Sequence, residues 1–293
     1  MSQVSGNLRS IYAMLIAVFM FSLMDTAMKL LAAHYPAMQV AALRSLSSLP
    51  LVVLYVAWRG GFATMMRARF SLHVLRGVLG IGMLALFAYG LKRLSLAEAY
   101  SIFFIAPALI TAMAVFFLKE RVNLARWIAI VVGLAGVLVV LRPEGGGFLT
   151  LGGLAILGSA VCYAISAIAA RILARTDSTR QMMFWLMLLM SIGATLLAAP
   201  EWVSIDPGHI LLLCGLAVSG FFGQLAITEA FSHGEGSVVA PFEYSALAWG
   251  VAIDWMLWQT LPDSYTLIGA AIIIGSGLYL IRHEKTHAES EHP

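Results

Sequence analysis

Ten apolar stretches of about twenty residues fill the chain, and the last five repeat the pattern of the first five. At an offset of 139 residues, Tyr89–Gly136 lies against Thr228–Gly275, and two helical hairpins match without a gap. An apolar run of this length is a membrane helix, because only intrahelical hydrogen bonding satisfies the backbone in hydrocarbon. Five spans is an odd number, so the second half must enter the bilayer from the opposite side. The expected fold is therefore all-α and integral to the membrane, built as two inverted five-helix repeats. Such halves belong to carriers that rock about a central site.

The spacing predicts spans at 10–33, 37–58, 71–91, 95–118, 124–141, 149–173, 180–199, 208–231, 236–259 and 264–282. The first repeat then covers 1–143, the second 149–283, and 284–293 is a cytoplasmic tail. Pro143, Glu144 and Gly145–Gly147 break the apolar pattern and make the linker. Only 11% of the 293 residues are charged against 61% hydrophobic, a surface meant for lipid and with no room for a separate soluble domain. With the N-terminus inside, 13 of the 18 basic residues fall at cytoplasmic ends, so both termini are expected in the cytoplasm. The first helix is read as retained and not as a signal peptide. Trp58, Trp127, Trp202 and Trp258 fall at span ends and read as interface anchors.

Cys162 and Cys214 lie inside spans and suggest neither a disulfide framework nor zinc. His283, His287 and His292 are irregularly spaced and read as solvated tail. No metal site and no cofactor is expected, and the net charge of +3, spread over short loops, gives no reason to expect nucleic acid. Helices in lipid associate where small residues let backbones approach. Gly77, Gly80 and Gly82 mark span 3, Gly215, Gly220 and Gly223 span 8, and Gly133, Gly136, Gly269, Gly275 and Gly277 spans 5 and 10. Pro107, about a dozen residues into span 4, should bend that helix, either for packing or to shape a pocket.

Charges in hydrocarbon are costly and should face the bundle interior with a partner. Asp25 and Lys29 share one face of span 1, and Arg44 and Glu98 lie at the same outer level. They form either a structural lock between spans 1, 2 and 4 or a substrate or gating set. At the other end, Arg171, Glu229 and Glu243 reach similar depth and would suit an inner gate, with Glu243 lining the cavity. Between the two levels lie Tyr100, Phe103, Tyr163, Gln224, Tyr244 and Trp249, with Phe19, Phe21, Ser22, Tyr89 and Ser166. Aromatic walls with sparse polar groups suit a flat, partly apolar solute.

Ala240-Pro241-Phe242-Glu243-Tyr244, Leu118-Lys119-Glu120-Arg121 and the ten spans resemble the EamA-type family of the drug/metabolite transporter superfamily. Phe21-Ser22-Leu23-Met24-Asp25, Lys29, Gln39 and Leu43-Arg44-Ser45 resemble its riboflavin and S-adenosylmethionine carriers. The resemblance implies a basket of helices 1, 3, 4, 6, 8 and 9 around a cavity, with 5 and 10 peripheral, and alternating access without ATP. One departure is visible: Glu120 closes the first half, and Gln259 stands at its repeat position.

The chain is thus expected to be a secondary carrier in a bacterial inner membrane, a monomer or weak homodimer. Its partners would be the lipid bilayer, a small-molecule substrate and, as a coupling ion, protons. A vitamin- or nucleoside-like solute such as riboflavin is favoured, and the alternative is an amino-acid or drug/metabolite exporter of the same superfamily. An intramembrane enzyme or a sensor is the competing class. The chain carries no Gly-Xaa-Ser-Xaa-Gly to support the enzyme.

Overall fold

The computed structural model describes residues 3–59, 65, 69–91, 93, 102–120, 122–141, 150–259 and 264–290. All of its regular structure among these residues is helical. In chain order the helices are α1 (Gln3–Ala32), α2 (Ala37–Trp58), α3 (Phe70–Leu91) and α4 (Ala106–Met113, continued by the π turn Ala114–Leu118). Then come α5 (Leu124–Leu141), α6 (Leu151–Leu173), α7 (Thr179–Ala198) and α8 (Ile210–His233). The last two are α9 (Gly236–Val239, a 3₁₀ stretch Ala240–Tyr244, then Ser245–Trp258) and α10 (Ser264–Ser290). Six of these are long and apolar enough to cross a membrane. Leu54, Leu196, Leu211 and Phe116 are among many large apolar side chains facing outward, as lipid-facing surface requires.

Three elements differ from the sequence expectation. Span 4 is broken rather than bent: Phe104 and Ile105 form a turn, and α4 starts at Ala106 with Pro107 in its first turn. There the missing N–H leaves no hydrogen bond unmade. Residues 95–101, including Glu98 and Tyr100, lie outside the described residues, as does the 143–147 linker. The last helix outruns its predicted span end at 282, since α10 continues to Ser290. An apolar run marks hydrocarbon, whereas a helix can continue into water until a breaker stops it. Finally, Lys119 and Gln259 are left-handed helix caps with φ of 57° and 53°. Gln259 therefore matches Lys119 rather than Glu120, and the position corresponding to Glu120 lies outside the described residues.

Helix packing comes in exchangeable sets. α1 packs along α8 as α3 packs along α6, and α2 meets α8 as α3 meets α7. α2 pairs with α7 and α5 with α10. Exchanging the first five helices for the last five leaves these pairings unchanged.

Close approach explains several glycines. A Cβ on Gly220 would lie 2.5 Å from Ser48 Oγ, and one on Gly223 2.7 Å from the Phe21 ring. Gly215 and Gly275 have open space instead. On the α5–α10 side, a Cβ on Gly133 would lie 2.5 Å from the ring of Tyr244, which is fully buried. Gly133→Ala should therefore destabilise by about 1–3 kcal/mol through overpacking. Unfolding of the purified protein in detergent measures this, with Gly275→Ala as the near-neutral control.

Candidate functional site

Asp25 projects from the C-terminal part of α1 and is exposed, although Met24 beside it is buried. Met24 and Leu43 share one apolar cluster with Phe21, which brings Asp25 on α1 and Arg44 on α2 to the same level. Arg44 is the cation that acts on Asp25, and it also acts on Tyr163 of α6. The Tyr163 hydroxyl donates to Glu243 Oε1 at 2.9 Å. Asp25, Arg44, Tyr163 and Glu243 thus form one polar array, with two members from α1 and α2 and two from α6 and α9.

A cavity adjoins the array, lined by Phe21, Arg44, Ser45, Ser48, Met187, Met190, Gly220 and Gln224. The Arg44 guanidinium lies 5.6 Å from the Phe21 ring centroid, a cation–π contact that steadies it. Gln224 donates to Thr228 Oγ1 at 3.2 Å. Phe19 and Trp249 stand 4.7 Å apart, centroid to centroid, and Phe103 lies 5.8 Å from Tyr163. These ring pairs stand outside the cavity lining, and Tyr100 lies outside the described residues. Tyr244 is packed with Val137 and Ile273 against α5 and α10, away from the array.

The expected inner trio does not assemble. Arg171 reaches Glu120 at 3.4 Å, and Glu229 takes Arg9 at 3.3 Å and the Thr179 hydroxyl at 2.5 Å. Glu243 turns to Tyr163 instead. Lys29 is exposed.

The helix ends at the α4–α5 and α8–α9 turns are held by residues that sequence reasoning did not combine. Glu120, only 7% exposed at its side chain, accepts from Gly236 N (3.2 Å), Ser237 N (3.3 Å) and Ser237 Oγ (3.1 Å), besides Arg171. Arg126 pairs with Glu235 and donates to Ser237 Oγ at 3.1 Å, and Asn7 accepts from Glu235 N at 3.1 Å. One network therefore ties α1, α5, α6, α9 and the end of α4. The available signal was that Glu120, Arg126 and Glu235 sit at the turns after spans 4 and 8, which the span count puts on the same side. A second cluster joins α3 to the α6–α7 turn through His73 and Asp177, 2.8 Å apart. At the opposite ends, Gln39 bonds both ways to the Val203 backbone (2.6 and 2.9 Å), and Tyr35 contacts His209 at 2.8 Å.

A family model described as the EamA-like transporter family matches residues 8–142 and 150–282. The chain belongs to this family. It is a multi-pass membrane transporter, and its relatives are named for transport and not for catalysis. The chain is 26% identical to a pseudopaline exporter of Pseudomonas aeruginosa over 275 residues, covering 92% of this chain and 95% of that one. It is 29% identical to an S-adenosylmethionine uptake transporter of Rickettsia conorii, over 92% of this chain and 90% of the relative. Its identity to a riboflavin transporter of Vibrio cholerae is 26%, over 87% and 86%. A protein of known crystal structure shares the fold, with a TM-score of 0.83 at 19% identity over 97% of this chain and all of that one.

Proposed function

We propose that the chain carries a small organic metabolite by alternating access, without ATP, through the cavity beside the Asp25–Arg44–Tyr163–Glu243 array. The observation that carries the reading is that both halves line one cavity, Phe21, Arg44 and Ser48 from the first and Met187, Gly220 and Gln224 from the second. A group shared between halves that rock against each other is where a carrier grips its load. The exchangeable helix pairings, and the family model matching over 8–142 and again over 150–282, support ten spans in two inverted repeats. The bias of basic residues supports cytoplasmic termini.

The cargo in this reading has a flat heterocyclic part, since Phe21 lines the cavity and the ring pairs Phe19–Trp249 and Phe103–Tyr163 lie in the same bundle. Riboflavin and nucleoside-like solutes are the first probes. Counterflow in proteoliposomes, with a panel of flavins, nucleosides, amino acids and S-adenosylmethionine, tests it. One of these should exchange in a protein-dependent, saturable way, and a flat response across all of them would overturn the reading.

Glu243 is the proton-coupling candidate. Among the described residues its side chain bonds only to a tyrosine hydroxyl and has no cation to hold it ionised. Glu243→Gln should reduce pH-driven uptake at least tenfold while solute counterflow at equal pH survives. Unchanged uptake with an unchanged pH profile would remove Glu243 from coupling.

A further inference from the structure

Arg76, in the second turn of α3, is a buried cation without an anion. Its side chain is only 5% exposed, and Nε and Nη1 of the guanidinium are buried with no hydrogen-bond partner. One turn earlier on the same helix, His73 is buried too. Its Nε2 lies 2.8 Å from Asp177 Oδ2, and its Nδ1 is buried without a partner. An ionised carboxylate donates nothing, so Nε2 carries the proton and Nδ1 of the neutral ring is an acceptor. A single turn of α3 thus holds two unmet donors and one unmet acceptor. Both side chains lie on the inner side of the helix. Leu75, Val78 and Tyr89 are exposed, whereas Gly80 lies against Met190 of α7, and the Met83 carbonyl accepts from Ser159 Oγ of α6. Arg76 shares the face of Gly80 and Met83, one and two turns on. The carboxylates near the α6–α7 turn are already engaged. Asp177 takes His73, the Arg69 amide and the Thr176 hydroxyl, Glu229 takes Arg9 and Thr179, and Glu120 takes Arg171. An ionisable group inside a membrane bundle marks the position of an ion or ligand.

We propose that the His73–Arg76 turn binds a small dissolved oxyanion of the hydrogen-phosphate type. The Arg76 guanidinium is a planar fork of donors that takes two oxygens of such an anion in parallel bonds. The remaining O–H of the anion donates to His73 Nδ1. Chloride and a carboxylate accept from Arg76 but donate nothing, so either would leave the His73 acceptor unmet. Sulfate has the shape of phosphate and carries no proton near neutral pH. A lipid headgroup fits less well, because the turn faces into the bundle and away from the apolar surface of α3. The site is also distinct from the cargo cavity, whose lining includes neither His73 nor Arg76. The proposal therefore goes beyond the carrier reading and does not depend on the identity of the cargo.

The test is the unfolding temperature of the purified full-length protein in inorganic phosphate, sulfate, chloride and acetate, at one ionic strength and neutral pH. Phosphate should raise Tm by at least about 2 °C in a saturable way, because a ligand of the folded state stabilises it by mass action. Sulfate should give less than half of that shift, and chloride and acetate none. Arg76→Met removes a buried charge that has no anion in chloride, so it should melt no lower than wild type there and should lose the phosphate shift. Arg76→Lys keeps the charge without the fork and should weaken phosphate binding at least tenfold by titration calorimetry. Should the Met variant fail to fold, the Lys variant decides. Nanodiscs of phosphatidylcholine with and without phosphatidate separate the sources, and a shift from phosphatidate alone would overturn the dissolved anion. Equal shifts by sulfate and phosphate would overturn the part given to His73. If wild type and Arg76→Met gain equally from phosphate, the salt acts on the whole surface and the proposal is overturned. It is overturned as well if Arg76→Met melts lower by the same amount in all four salts, since the chain itself would then supply the anion. No cargo enters these measurements, so their failure leaves the carrier reading standing.

Discussion

Replacing Glu120 with Ala should disconnect the helix ends at the α4–α5 and α8–α9 turns, with loss of stability and of transport together. Its carboxylate accepts from the first amides of α9, from the Ser237 hydroxyl and from Arg171, and it is almost completely buried. Removing it leaves two backbone donors without an acceptor and a guanidinium without its anion. Breaking a buried ion pair by deleting one partner costs about 3–5 kcal/mol. Here about 2–3 kcal/mol is the better expectation, because the Arg171 side chain is 21% exposed and can turn toward water. Glu120→Gln keeps an acceptor for the α9 amides and loses only the charge, so it should recover at least half of the stability. Unfolding in detergent measures the first effect and proteoliposome uptake the second. Equal stabilities of the Ala variant and wild type would show that the network is incidental.

Asp177→Ala should be strongly destabilising in the α3–α6–α7 region, by about 2–3 kcal/mol. The His73 ring nitrogen Nε2 lies 2.8 Å from Asp177 Oδ2, with side-chain exposures of 0% and 2%. The same carboxylate accepts from Arg69 N at 3.1 Å and from the Thr176 hydroxyl at 2.8 Å. The His73 ring cannot find water without local unfolding, whereas Arg69 and Thr176 are exposed. The pair also sets the turn that delivers α7 to α2 and α3, and Ser178 and Gln181 close that turn with a capping box. Asp177→Asn retains one acceptor oxygen and should cost less than half as much. A Thr179→Ala change two residues away loses only the bond to Glu229 and serves as the local control. A loss under 1 kcal/mol for Asp177→Ala would mean that the His73 contact does not persist in the folded ensemble.

Much of the architecture was legible because hydrocarbon imposes one rule on the backbone. The apolar runs at 37–58, 124–141 and 180–199 became α2, α5 and α7 almost to the residue. Gly133 and Gly136 were correctly placed at a helix contact, since only small residues allow that approach. Pro107 was read as a kink within a continuous span, because nothing in the local pattern marks the turn at Phe104 and Ile105. Asp25, Arg44, Tyr163 and Gln224 were picked out as polar residues in apolar surroundings, and all four meet at the cavity or its array. Their partners were less legible. Arg171 was grouped with Glu229 and Glu243 by depth alone and pairs with Glu120.

By itself, then, the sequence determined that this chain lives in a bilayer, where most of its helices run, and that its halves echo each other. Only the tertiary structure decided which charge meets which, that Tyr244 is packing and not cavity, and that Arg76 meets no counter-charge among the described residues. The reason is physical. In lipid the outer face of a helix is as apolar as the buried one, so periodicity carries little information about facing. Depth along the membrane can be counted in residues. The rotation of each helix about its axis is set by side-chain packing with its neighbours, and that rotation assigns the partners.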